Sequence, residues 1–210
     1  MTTPSFLTKA LAVFIGTLAW FALIVQFILM AEKNVTPLPE TIIRYFSFFT
    51  ILTNLLVAVY ATCLVLVPSS SLGRFFSRPS VGTATTVYIV AVGVIYNAIL
   101  RALWKPEGMQ RVVDELLHTI IPILFLIFWA LFLARKELKW NAFFLWLIYP
   151  LVYCLCIIGR GYLSGFYPYP FMDVAKLGYK QVMLNSLGVT IVFLGFSVLL
   201  INIGRLKSSK

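Results

Sequence analysis

A run of about twenty apolar residues, long enough to cross a bilayer core of roughly 30 Å as a helix, constrains this chain more than any other feature, because it recurs six times. The runs cover about 10–31, 43–67, 83–104, 113–134, 142–160 and 181–204. Inside hydrocarbon every backbone N–H and C=O must find a partner within the chain, so such runs become helices. The sequence therefore predicts an all-α polytopic membrane protein, one domain over residues 1–210 with six transmembrane helices in a single bundle. With 61% hydrophobic and 11% charged residues, the chain has no stretch left for a soluble domain and no linker long enough to separate two units. The first run is long for a signal peptide and lacks a clear small-residue cleavage site, so it is read as an uncleaved span.

The formal net charge of +10 raises the question of nucleic acid. The Lys and Arg residues flank apolar runs instead of clustering on polar faces, which excludes a nucleic-acid partner and points to headgroups and topology. Cys63, Cys154 and Cys156 all lie within apolar runs, an odd number without loop pairing, so no disulfide framework is expected. With His118 as the only histidine, and Cys154 and Cys156 on different helical faces, no metal site and no cofactor are expected.

Charge also orients the chain. One side holds Lys9, Arg74, Arg78, Arg135, Lys136, Lys139, Arg205, Lys207 and Lys210 with Glu137 as its only acid, whereas the other mixes eight basic with six acidic residues. The more basic side is predicted to be cytoplasmic, with both termini on it. Arg44, Ser47, Thr50, Asn54, Asp114, His118 and Asn185 then fall in the outer half of the second, fourth and sixth spans. The ends of the third and fifth spans add Asn97, Arg101 and Arg160 at the same depth. Separate helices sending polar groups to one level predict a polar cavity in the outer half of the bundle.

Within that set, Arg44, Ser47, Thr50 and Asn54 recur at helical spacing and form one stripe on the second span. Asp114 and His118 are four apart, the spacing at which a carboxylate can hold an imidazole. A neutral imidazole can turn a hydroxyl such as Thr50 into a nucleophile towards an ester carbonyl, and Asn54, Asn97, Asn185 or Arg101 can donate to the oxyanion that forms. Each residue also has a plainer reading. Thr50 and Thr53 can bond back to a carbonyl one turn earlier, and Asp114 and Glu115 can complement a helix start. Arg44, Arg101 and Arg160 can reach headgroups, and Asn97 and Asn185 can tie helices together. Pro122 is expected to kink the fourth span and free a carbonyl near His118. The aromatic stretch Tyr167 to Phe171 reads as an interfacial loop.

Phe49-Thr50-Ile51-Leu52, His118-Thr119 with Pro122, and Tyr169-Pro170-Phe171-Met172-Asp173, in that order along six spans, resemble the androgen-induced gene family. That family includes the androgen-dependent tissue-factor-pathway-inhibitor regulating protein, and this chain looks closer to its bacterial members. The resemblance implies a multi-pass protein of a bacterial cytoplasmic membrane. It also implies an intramembrane lipid ester hydrolase acting on fatty acid esters of hydroxy fatty acids or a related acyl lipid, with Thr50 as nucleophile and His118 as base. In one departure, Thr53 stands where the animal members carry an acidic residue. The alternative on the same residues is a non-enzymatic lipid or small-molecule binding or transport protein.

Overall fold

The computed structural model describes residues 5–133 and 138–207. Ala134, which closes the fourth predicted span, and Arg135, Lys136, Glu137 and Lys210 of the charge pattern lie outside the described residues. The described chain is helical, without strands, and six of its helices are long and apolar enough to cross a membrane. The protein is thus an integral, multi-pass membrane protein. The spans are α1 (Phe6–Glu32), α3 (Phe49–Leu66), α5 (Pro79–Leu103), α6 (Gly108–Leu133), α7 (Ala142–Ser164) and α8 (Val174–Leu206). Two short helices, α2 (Leu38–Phe46) and α4 (Ser71–Phe76), lie in connections.

Helix α5 is the axis of the bundle, packed against α3, α6, α7 and α8 and buried without a break from Gly82 to Gly93. Its threonine hydroxyls do not disturb that burial because each bonds back one turn, Thr83 to the Pro79 carbonyl, Thr85 to Val81 and Thr86 to Gly82. On the other flank, α1 presents Ala12, Gly16, Ala19 and Ala22 to Ala58 and Ala61 of α3. Small side chains let the two backbones approach closely, and a Cβ placed on Gly16 would sit 3.0 Å from that of Ala61.

Most predicted spans lengthen by a few residues, and the second changes in kind. In place of one helix over 43–67, α2 ends at Phe46 and α3 starts afresh at Phe49. Phe48 is extended between them, with φ −85° and ψ 125°. Neither proline nor glycine marks this break. It is held from α7, where the Tyr153 hydroxyl donates to the Ser47 carbonyl at 2.7 Å and accepts the Phe49 N–H at 3.2 Å. The cause is therefore tertiary. Tyr153→Phe should destabilise the fold by about 1–3 kcal/mol, because both backbone groups lose a partner while the ring keeps its packing. A lowered thermal midpoint in detergent is the readout.

The sixth span, predicted over 181–204, begins at Val174 but is kinked at Gly178, where φ is +73° and ψ 159°. Only glycine takes that conformation without strain, so the kink is fixed locally. The connections α2–α3, α5–α6 and α7–α8 then share one end of the bundle, and the site described next lies at that end.

Candidate functional site

Thr50 is the second residue of α3, where a helix has no intrahelical acceptors for its N–H groups. Phe48 supplies no side-chain cap. Tyrosines from elsewhere take that role, Tyr153 for the Phe49 N–H and Tyr169 for the Thr50 N–H at 3.3 Å. The Thr50 hydroxyl makes no bond to its own helix. Its Oγ1 lies 3.3 Å from His118 Nε2 and 3.4 Å from the Tyr169 hydroxyl. Thr50 is buried at 7% exposure, and the contact to His118 joins the second and fourth predicted spans.

His118 sits in a π-helical turn of α6, Leu116–Ile120. Pro122 has no N–H to offer the His118 carbonyl, and the Asn97 amide of α5 donates to that carbonyl at 3.2 Å. Gly93 allows the approach, since a Cβ there would come within 3.1 Å of the same oxygen. The imidazole is fixed on both sides. Tyr96, from a second π-helical turn (Tyr96–Leu100), stacks on it at 3.8 Å between centroids and 16° between planes. His118 Nδ1 lies 2.9 Å from the Asp114 backbone carbonyl and 3.3 Å from its carboxylate Oδ1. Both neighbours are acceptors, so Nδ1 carries the proton and Nε2 is the acceptor for the Thr50 hydroxyl. The Tyr96 hydroxyl donates to Asp114 Oδ2, which secures the carboxylate in turn.

Thr50 opens onto a cavity of about 820 Å³ bounded by α3, α5, α7, α8 and the turn at Tyr169–Met172. The walls are almost wholly apolar, which corrects the polar cavity expected from the sequence, because the polar side chains at this depth bond to one another and to backbone around it. Its flank between α7 and α8 is formed by side chains such as Leu155, Met183 and Leu187, each more than half exposed. On an integral membrane protein these face hydrocarbon, so the cavity reaches the lipid side between two helices.

The remaining expected residues divide into two groups, one around the site and one away from it. Asn54 belongs to the site's frame, with its amide donating to the Thr50 carbonyl at 2.9 Å and across to Leu117 at 3.1 Å. Asn97 donates to Gly93, His118 and Thr119. Arg101 is ion-paired with Glu115 at 2.6 Å and donates to Thr119. Asn185 donates to the Phe171 carbonyl at 2.8 Å and so pins the turn that carries Tyr169. None of these four, the expected oxyanion donors, bonds to Thr50 Oγ1, and the bonds each donates run to other acceptors.

Arg44 and Ser47 leave the stripe altogether, since the break at Phe48 puts them on a different helix from Thr50. The Ser47 hydroxyl bonds back to the Ile43 carbonyl at 2.6 Å. Arg44 and Arg160 both pair with Glu40, at 2.7 and 2.8 Å, and both lie over the Phe166 ring. The Arg44 guanidinium, seconded by Arg160, holds the Glu40 carboxyl below its ordinary value. This cluster ties α2 to α7 and is separate from Thr50 and His118.

Tyrosines are what sequence reasoning missed. Tyr96, Tyr153 and Tyr169 all touch the site, and Tyr149 meets Thr53 at 3.4 Å, the position of the departure from the family pattern. Tyr169 is the exception within a segment read as an interfacial loop, because it is 9% exposed and its hydroxyl reaches Thr50, while its neighbours from Tyr167 to Phe171 are half-buried or exposed. Its stacking on Phe171 and edge contact with Phe48 turn it inwards. Only its place in the motif at 169–173 singled it out in sequence. Comparison of the chain with known protein families, with curated proteins and with solved structures found no match in any of the three.

Proposed function

We propose that this protein is an intramembrane ester hydrolase acting on an acyl lipid, with Thr50 as nucleophile and His118 as general base. The observation that carries the reading is the 3.3 Å approach of Thr50 Oγ1 to His118 Nε2 at the wall of an apolar cavity reached from the lipid side. That distance is at the long end of a nucleophile–base hydrogen bond, as is common before substrate compresses the site.

In the proposed cycle Oγ1 bonds to the ester carbonyl carbon and its proton passes to Nε2. The tetrahedral intermediate expels the alcohol oxygen, which leaves with that proton, and acyl-Thr50 remains. Water then gives a proton to Nε2 as its oxygen bonds to the same carbon. Collapse breaks the Oγ1–carbon bond, Nε2 returns the proton to Thr50, and a fatty acid departs. Asp114 faces Nδ1 throughout, and its negative charge favours the imidazolium that exists in each intermediate.

The resemblance to the androgen-induced gene family supports the same pair of residues and suggests fatty acid esters of hydroxy fatty acids or a related acyl lipid as substrate. The charge pattern supports cytoplasmic termini and the resemblance supports a bacterial cytoplasmic membrane, a reading under which the site would lie in the outer half of that membrane. No cofactor enters the cycle.

A fluorophosphonate probe tests the reading directly. The unaltered protein should be labelled on Thr50, and both Thr50→Ala and His118→Ala should remain unlabelled. Saturable lipid binding by a protein that takes no label at Thr50 would replace the hydrolase by a carrier.

A further inference from the structure

The proposed cycle needs a donor for the charge that builds on the ester carbonyl oxygen, and the polar side chains expected to supply it are engaged elsewhere. Asn54, Asn97, Asn185 and Arg101 each donate to a backbone carbonyl or another side chain away from Oγ1. Building on the hydrolase reading, we propose that Tyr169 is a third catalytic residue, whose phenolic hydroxyl donates to Thr50 Oγ1 at rest and to the ester oxyanion during acyl transfer.

The direction of its proton follows from counting. Thr50 has one hydroxyl proton, and it goes to His118 Nε2, whose ring proton is committed to Asp114 on the other side. In the 3.4 Å contact between the two hydroxyls, Thr50 Oγ1 is therefore the acceptor and Tyr169 the donor. The Tyr169 oxygen meanwhile accepts the Thr50 N–H at 3.3 Å. That bond strengthens the phenol as a donor, since hydrogen bonds in a chain polarise one another.

When Oγ1 bonds to the carbonyl carbon, the former carbonyl oxygen is one atom removed from Oγ1. It then lies within reach of a donor already poised over the nucleophile. Rotation of one O–H bond redirects the proton, and no covalent bond to Tyr169 forms or breaks.

Three features hold the hydroxyl in place. The Tyr169 ring stacks on Phe171 at 5.3 Å between centroids and meets the Phe48 edge at 5.8 Å. Asn185 fixes the Phe171 carbonyl, and with it the turn. Burial pushes the Tyr169 phenol above its ordinary value, so it stays protonated. A preorganised donor in an apolar surrounding is where oxyanion stabilisation is most effective.

The test uses the full-length protein in nanodiscs, with p-nitrophenyl palmitate as substrate and a long-chain trifluoromethyl ketone as transition-state mimic. Tyr169→Phe keeps the ring and is expected to lower kcat by about 100-fold with KM changed less than about threefold. It should weaken the ketone, whose adduct with Thr50 carries an oxyanion, by a similar factor. A non-hydrolysable ether analogue should bind as before.

Retained kcat in Tyr169→Phe would overturn the proposal. So would a lowered kcat with unweakened ketone binding, which marks a purely structural role. No ester turnover by the unaltered protein would instead defeat the hydrolase reading itself, and this proposal with it.

Discussion

Thr50→Ala should abolish ester hydrolysis, lowering turnover by about 10³-fold or more, while the protein extracts and melts like the unaltered form. The chemical loss is large because, among the described residues, Thr50 supplies the hydroxyl bonded to His118 Nε2. The structural loss is small because the Thr50 hydroxyl holds up no helix, its bonds going to His118 and Tyr169 across the site. The backbone N–H that Tyr169 accepts survives in alanine. His118→Ala should cost about as much, and the double variant little more than either, as is usual for residues that act as a unit. Turnover of a p-nitrophenyl acyl ester by the two single variants and the double settles this. Additive losses would mean that the two residues do not share one step.

Asp114→Asn should lower kcat by about 10²-fold at nearly constant KM. In a triad whose aspartate is the only partner of its histidine, the amide variant costs about 10⁴-fold, because the imidazole adopts the wrong tautomer. Here the Asp114 backbone carbonyl also faces Nδ1, at 2.9 Å against 3.3 Å for the carboxylate, and it remains in the variant. The tautomer therefore persists. What disappears is a negative charge beside the imidazolium, together with the charge-assisted bond from Tyr96. A pre-steady-state burst with p-nitrophenyl ester separates the outcomes. Slowed acylation and deacylation alike fit the loss of charge, whereas an unchanged rate would remove Asp114 from the mechanism.

Much of the frame was legible in the sequence because a bilayer leaves few alternatives. Six apolar runs can only be six helices, and ionisable groups within them are costly enough to converge on a common interior. That reasoning paired Thr50 with His118 across 68 residues of sequence, and it placed Asp114 one turn from the imidazole. Pro122 freeing the His118 carbonyl was likewise local chemistry, and Asn97 duly occupies it. The stripe from Arg44 to Asn54 went astray because it assumed one unbroken helix. Helical periodicity reads correctly through Phe48, and nothing in the residues on either side announces the break.

The sequence by itself determined the class of protein, the number of spans, and the meeting of Thr50 and Asp114 with His118. Those outcomes depend on each segment's own length, apolarity and backbone needs. Only the tertiary structure decided that α3 begins at Phe49, that Arg44 and Arg160 form a separate cluster on Glu40, and that four tyrosines furnish the polar frame. A tyrosine is apolar over most of its surface and polar at one atom, so composition files it with the hydrophobic residues. Where that single hydroxyl ends up depends on which helices pack together, and a linear pattern carries no record of that.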